Sequence, residues 1–182
     1  MTGMSEGYGG ERRTGRIVVG VSGSLGSLAA LHRAVDEARR TDAEVLAVLA
    51  WAPQGGEHAY RLAPCPPLLA AWRQGAVERL RDALAEAFGG APDGVRLSAQ
   101  VVRGDAAPAL VRAADRPDDV LVVGAGSGSR LRRGLRPSVT AYCVKHASCP
   151  VLAVPRPGLQ RELEALHRRN AWHLPTAPAP IR

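Results

Sequence analysis

The segment from Asp119 to Val154 constrains the fold of this chain more than any other. It begins with an apolar run at 120–123 and continues through a turn rich in glycine and serine and an arginine-rich loop. A helical pattern then opens at Ser138, and a second apolar run ends at Val154. Strand, glycine turn, helix and strand in this order are typical of parallel α/β folds that hold phosphates, because backbone N–H groups converge in the turn and the next helix directs its positive end at the ligand.

The same alternation of strands and helices extends through the preceding chain. Short β-branched or apolar runs predict strands at 16–21, 44–51, 95–103, 120–123 and 149–154. Helical patterns predict a first helix that is capped by Ser24 or Ser27, and further helices at 68–88, 108–114 and 138–146. Prolines and glycines predict a long loop at 52–67. Short crossovers favour an α/β domain with a single open parallel five-stranded sheet and helices on both faces.

The chain is long enough for one domain with tails. Residues 1–15 are polar and glycine-rich, which predicts a disordered leader, and the domain is expected at 16–155. Residues 156–182 form a C-terminal extension with an expected amphipathic helix at 158–172 and a proline-rich end. Leu159, Leu163 and Leu166 would share one face of that helix.

Composition limits the partners and the compartment. The net charge is +7 and arginine supplies nearly all of the positive charge, since Lys145 is the only lysine. Aromatic residues make up 4% of the chain and none lies within the arginine cluster at 130–136, so nucleic-acid binding is not expected. Cys65, Cys143 and Cys149 form no C-x-x-C pair, and no run of membrane length occurs, so we expect a cytoplasmic protein without metal or membrane contact.

Two glycine-rich turns are candidate sites. The first spaces glycines at 20, 23 and 26, which matches neither a P-loop nor the dinucleotide fingerprint, so a tight structural turn is at least as good an interpretation as a ligand contact. The second places Gly124, Gly126 and Gly128 before four arginines. A phosphate cradle and a solvated mobile loop explain this second turn equally well.

Taken together, residues 16–154 resemble a universal stress protein (UspA-like) domain. The matching pieces are IVVGVSGSLGSLAALHRAVDEAR near the start, and DDVLVVGAGSGS and PSVTAYCVKHASCPVLAVP near the end. The resemblance implies a Rossmann-like, adenine nucleotide alpha hydrolase-like sheet, and usually a homodimer joined through the last strand, here Cys149 to Val154. In some members of the family, ATP lies between the ends of the first and fourth strands.

The chain departs from the ATP-binding pattern of that family, G-x2-G-x9-G-[ST]. Gly124 and Ser138 match, but Ser127 and Pro137 occupy the second and third glycine positions, and Ser22 occupies the position of an acidic residue. Ser127 adds a Cβ near the phosphate path, although neighbouring glycines can compensate for it. Proline removes a backbone donor at the helix entry.

The resemblance predicts a stress-response regulator that binds rather than turns over its ligand. ATP or another adenine nucleotide is the expected ligand, with Mg²⁺ entering only together with ATP. The expected nucleotide-binding residues are Gly20, Val21, Ser22, Ala50, Gly124, Gly126, Ser127, Gly128, Pro137, Ser138 and Val139. A nucleotide-free dimeric interaction module is the alternative, and slow ATP hydrolysis ranks last, because no positioned general base is visible. His146 lies near Cys143 and Cys149 in sequence, but packing explains these cysteines better than nucleophilic chemistry.

Overall fold

A computed structural model describes residues 15–125, 138–155 and 158. The strands are β1 (Arg16–Gly20), β2 (Glu44–Trp51), β3 (Leu97–Arg103), β4 (Asp119–Gly124) and β5 (Val151–Val154). The helices of the described chain are α1 (Leu25–Thr41), α2 (Gly56–Leu62), α3 (Pro66–Phe88), α4 (Ala106–Ala113) and α5 (Val139–His146). The predicted leader at 1–15 lies outside this range except for Gly15, and the predicted helix at 158–172 lies outside it except for Gly158.

The five strands form one sheet in the order β3-β2-β1-β4-β5, and every pair is parallel. β1 is therefore central, with β2 on one side and β4 on the other. β3 and β5 are the edges of the sheet. This arrangement confirms the predicted open parallel five-stranded sheet.

Helices cover both faces of the sheet, as the sequence predicted. One face packs against α1 and α3. The apolar residues of α1 that repeat at helical spacing are buried against it, namely Leu28, Leu31, Val35 and Ala38. The other face packs against α4 and α5 through Leu110 and Cys143, which meet Val18 and Val123. Because strand residues alternate between the faces, each strand contributes to both cores.

The predicted long loop at 52–67 was wrong, because it contains the helix α2 and the start of α3. Gly55 and Gly56 adopt positive φ and turn the chain into α2. Glu57 then forms two hydrogen bonds with Arg103 at the end of β3, of 2.8 and 2.7 Å. No α2 residue is buried, so this helix has no apolar stripe that a sequence pattern could reveal.

Several other boundaries differ by a few residues from the sequence predictions. β3 begins at Leu97 rather than 95, and β5 begins at Val151 rather than 149. α4 begins at Ala106 rather than at Pro108, which lies in its first turn. β4 starts at Asp119 rather than at 120 and ends at Gly124.

Candidate functional site

The strand order reverses between β1 and β4. Their register pairs Arg16 with Asp119 and Val19 with Val122. Gly20 and Gly124 therefore end neighbouring strands on the same side of the sheet, where the carboxyl ends of the strands lie. From there α1 leads to β2 on one face, whereas α5 leads to β5 on the other. Such a switch point leaves a crevice at the carboxyl ends of the strands, where open α/β folds bind ligands. We call residues 20–27, 124–125 and 138–141 the β1/β4 mouth.

Serine hydroxyls shape the turn between β1 and α1. Ser24 is the N-cap of α1, since its side chain accepts a hydrogen bond from the Ser27 backbone N–H. The Ser27 hydroxyl accepts from the Ser22 N–H at 3.2 Å and donates to the Ser24 carbonyl at 2.8 Å. The prediction of a cap at Ser24 or Ser27 is thus confirmed for Ser24.

This turn is open to solvent on its outer side. Ser22, Gly23 and Ser24 are exposed, and the hydroxyls of Ser22 and Ser24 lie 3.0 Å apart. Gly23 has a φ of 74°, and a Cβ added there would meet no atom within 4 Å. The positive φ explains the glycine, and the open space leaves room for a bound group beside the start of α1.

The entry to α5 is fixed by two side chains. Ser138 is the N-cap and accepts a hydrogen bond from the Ala141 N–H at 3.1 Å. Thr140 donates from its hydroxyl to the Gly124 carbonyl at 3.3 Å, which ties the first turn of α5 to the end of β4. Sequence reasoning missed Thr140, although a hydroxyl in a first helical turn is a recognisable signal for a contact with nearby backbone.

Gly124 is required by packing inside the protein. A Cβ at this position would collide with the carbonyl oxygen of Gly26, and would lie 2.8 Å from its carbonyl carbon and 3.3 Å from the Ser27 nitrogen. The end of β4 therefore lies directly against the first turn of α1. Gly20 has a related constraint on the other face, where an added Cβ would lie 2.8 Å from a Leu110 methyl.

The structure brings six of the predicted site residues together at the β1/β4 mouth, namely Gly20, Val21, Ser22, Gly124, Ser138 and Val139. Val21 is buried and donates its N–H to the Val48 carbonyl, so its side chain belongs to the core. Ala50 is half-buried near the end of β2, the strand beside β1, and pairs with Val102. The predicted residues Gly126, Ser127, Gly128 and Pro137 lie outside the described residues.

The two cysteines nearest the mouth in sequence are not activated. Cys143 on α5 is fully buried, and this burial raises the pKa of its thiol to about 11. Burial also raises the pKa of the Cys149 thiol, and the nearby Asp119 carboxylate adds to the effect. A raised pKa disfavours the nucleophilic thiolate, which supports the packing interpretation of both residues.

A second polar cluster at the same edge of the sheet was not predicted. Arg103, which forms the ion pair with Glu57, also lies over the ring of Tyr60 at 4.9 Å from the ring centre. Tyr60 in turn meets Trp72 of α3 edge to face, with ring centres 6.4 Å apart. This cluster holds α2 across the ends of β2 and β3, on the side of β2 away from the mouth.

Two kinds of feature are absent from the described part of the chain. No group of three or more His, Cys, Asp or Glu side chains is placed to hold a metal ion among residues 15–125, 138–155 and 158. Within the same residues, no helix combines the length and the apolar character needed to cross a membrane.

Comparison with known proteins identifies relatives of the whole domain. Residues 14–155 match the model of the universal stress protein family. A universal stress protein solved in complex with cAMP is 29% identical, with a TM-score of 0.56, and the match covers 79% of this chain and 98% of that one. UspA from Lactobacillus plantarum is 26% identical, with a TM-score of 0.59 and coverage of 78% and 98%.

A further solved relative comes from Burkholderia pseudomallei. This universal stress family protein is 26% identical, with a TM-score of 0.52, and the match covers 78% of this chain and 96% of that one. No curated protein matches the chain. The family match extends from before β1 to just past β5, so the chain belongs to the universal stress protein family.

Proposed function

We propose that this chain is a non-catalytic regulatory domain of the stress response that binds an adenine nucleotide at the β1/β4 mouth. One observation carries the proposal: the first turns of α1 and α5, which lie on opposite faces of the sheet, both contact Gly124 at the switch point. Each first turn has N–H groups without an intrahelical partner, and each helix directs a positive end toward the crevice. A related universal stress protein was solved with cAMP, which supports the class of ligand.

The residues of the mouth suit a phosphate and a ribose. The N–H groups of Leu25 and Gly26 in α1, and of Val139 and Thr140 in α5, would donate to phosphate oxygens. The exposed Ser22 hydroxyl lies 3.0 Å from that of Ser24, the N-cap of α1, and would exchange hydrogen bonds with phosphate oxygens or ribose hydroxyls.

Other predicted site residues complete the proposed site. Ala50 would form part of an apolar wall for the base, since it lies half-buried near the end of β2. The segment with Gly126, Ser127, Gly128 and Pro137 joins the two halves of the mouth in sequence, and we include these residues in the proposed site. Pro137 has no N–H and would contribute no backbone hydrogen bond.

The described side chains of the mouth explain why we propose binding rather than turnover. They are hydroxyls, small groups and aliphatic groups, and none is a His, Asp, Glu or Lys that could act as a general base. The nucleotide concentration would therefore set the fraction of protein molecules that carry a ligand. Binding would in turn change the assembly of the protein or its binding to a partner.

Calorimetric titration of the full chain with cAMP, AMP and ATP tests the proposal. Val139→Glu places a carboxylate at the first residue of α5, where it suits the helix but repels a phosphate. We expect at least about tenfold weaker binding, equivalent to about 1.4 kcal/mol. Val144→Glu is the control, because Val144 is exposed near the other end of the same helix.

Two outcomes would contradict the proposal. Absence of saturable heat with all three nucleotides at millimolar concentration would eliminate nucleotide binding as the function. Equal weakening by Val139→Glu and Val144→Glu would show that a ligand binds elsewhere, or that the effect is only one of net charge.

A second candidate function is a nucleotide-free dimeric interaction module. The observation that favours it is the exposed edge of the sheet at β5, which pairs only with β4 within the described chain. Val151, Leu152 and Val154 on this strand are half-buried, and Val144 on the adjacent α5 is 63% exposed. A second copy of the chain would cover this edge, and the domain at 16–155 would be the unit that assembles.

A further inference from the structure

The segments that build the β1/β4 mouth contain no acidic residue. Two stretches of the sequence contain no Asp or Glu. The first is 17–35, which covers β1 after Arg16 and the first half of α1, and the second is 120–160, which covers β4 after Asp119, α5 and β5. The second range also covers 126–137, so that segment brings no carboxylate to the mouth, whatever its conformation.

Carboxylates elsewhere at this edge belong to other strands. Among the described residues, Glu57 and Asp105 are the acidic residues that closely follow the carboxyl end of a strand. Glu57 is bound by Arg103 through two hydrogen bonds. Asp105 follows β3, which is separated from β1 by the whole of β2.

This donor set does not fit a divalent cation. Mg²⁺ is a hard ion that is held in proteins by one or two carboxylates together with the phosphates of its substrate. The described polar groups at the mouth are backbone N–H groups and the hydroxyls of Ser22, Ser24, Ser138 and Thr140. The backbone N–H groups attract anions and repel cations.

The positive ends of α1 and α5 also act directly on the charge of a ligand. A nucleotide that carries Mg²⁺ presents two fewer negative charges to these helix ends than the free nucleotide does. The protein itself carries a net charge of +7, which adds to the attraction for the metal-free form.

From this arrangement we infer that the β1/β4 mouth binds its nucleotide without a divalent cation and prefers the metal-free polyphosphate to its Mg²⁺ complex. The inference rests on the proposed function and adds its charge selectivity. Backbone N–H groups at the starts of α1 and α5 neutralise the phosphates, and the net charge of +7 adds to this attraction, so the occupancy of the site by ATP falls as free Mg²⁺ rises. Binding of cAMP, whose single charge needs no metal, is independent of Mg²⁺.

Calorimetry with the full chain tests this inference directly. ATP and cAMP are titrated in EDTA and, separately, in excess MgCl₂ at equal ionic strength. We expect ATP to bind about three- to tenfold more tightly in EDTA, and cAMP to bind equally in both. ATP binding that is tighter in MgCl₂ would overturn the inference while leaving the proposed function intact. Failure of both nucleotides in both buffers would defeat the proposed function, and the inference with it.

A matched pair of variants at one position strengthens the test. Ser22→Asp introduces the missing carboxylate at an exposed position, and Ser22→Asn adds nearly the same volume without charge. We expect Ser22→Asp to weaken ATP binding in EDTA and to restore it with MgCl₂, reversing the metal response. Ser22→Asn should keep the wild-type direction of that response. An Asp variant that responds to Mg²⁺ as the Asn variant does would show that the charge of the mouth does not govern metal preference, contradicting the inference.

Discussion

Arg16 and Asp119 form a two-pronged ion pair at the amino ends of β1 and β4. The Arg16 Nε and Nη2 atoms donate to the Asp119 carboxylate at 3.0 and 2.7 Å, and this carboxylate is fully buried. Its second oxygen also accepts from the Arg116 N–H at 3.1 Å. The two residues are direct partners in the strand register. The pair therefore fixes β1 against β4 at the amino ends of these strands, whereas the mouth lies at their carboxyl ends.

Replacing the arginine should therefore destabilise the domain strongly. Arg16→Met leaves a buried carboxylate without its cation, and we expect the free energy of unfolding to fall by about 3 kcal/mol in urea titrations. The control is Arg33→Met, since Arg33 is half-exposed and its contact with Glu37 is 3.4 Å long. That change should cost less than about 0.5 kcal/mol. Similar losses for both variants would show that the buried pair has no special role.

The contact between Gly124 and Gly26 gives a second prediction. Gly124→Ala forces a methyl group into the backbone of α1, which cannot move without shifting the helix. We expect a loss of about 2 kcal/mol in unfolding free energy, because overpacking of a rigid contact costs this much. Gly90→Ala is the control, since Gly90 has nothing within 4 Å of an added Cβ and no positive φ.

Equal stability of Gly124→Ala and Gly90→Ala would contradict this close approach. The prediction also changes how a binding experiment is interpreted. Loss of nucleotide binding in a Gly124 variant would follow from the displaced helix, and would not by itself show contact between Gly124 and a ligand.

Periodicity made most of the fold predictable. Strands buried on both faces appear as apolar runs, and the buried stripe of α1 repeats at helical spacing, so both could be recognised without tertiary information. The caps Ser24 and Ser138 were also recognisable, because a hydroxyl before an apolar helical pattern is a local signal.

Long-range pairings explain what the sequence did not reveal. Asp119 is charged and follows Pro117 and Asp118, so the predicted strand began only at 120, but Arg16, 103 positions earlier, allows Asp119 to be buried at the start of β4. α2 depends in the same way on Arg103, 46 positions from Glu57. The role of Gly124 against Gly26 was missed because the spacing of glycines does not distinguish a ligand from a neighbouring helix.

The buried thiol of Cys143 predicts a loss of stability at alkaline pH. Its pKa rises from an ordinary value near 9 to about 11 in the folded protein. Between these values the unfolded chain loses a proton that the folded chain retains, so the stability present below pH 9 declines as the pH rises through about 11. The decline attributable to this thiol is at most about 3 kcal/mol.

Urea titrations from about pH 8 to about pH 11 would measure this decline. Cys143→Ala should have a shallower dependence on pH than the wild type, with the remainder due in part to Cys149, whose pKa is raised in the same direction. Cys65→Ala is the control, because Cys65 is exposed. A wild-type profile no steeper than that of Cys143→Ala would contradict the prediction.

The edge of β5 gives the last prediction, which concerns the proposed homodimer. Pro150 and Val154 direct their carbonyls toward β4, where they accept from Leu121 and Ala125. Because the peptide groups of a strand alternate in direction, the N–H of Ala153 faces away from β4, toward the position of a partner strand. Ala153→Pro removes this donor and leaves the bonds to β4 in place.

If two copies join through 149–154, Ala153→Pro should raise the dissociation constant of the dimer at least about tenfold, through the lost hydrogen bond and the proline ring at the edge. Ala153→Thr keeps the donor and favours a strand, so it should dimerise like the wild type. Sedimentation velocity at micromolar concentration measures both, and urea titration checks that each variant is folded. Two results would exclude this edge as the interface: a wild type that remains monomeric, or a proline variant that dimerises as tightly as the threonine variant. The second result is decisive because the main difference between the two variants is the loss of one outward N–H group.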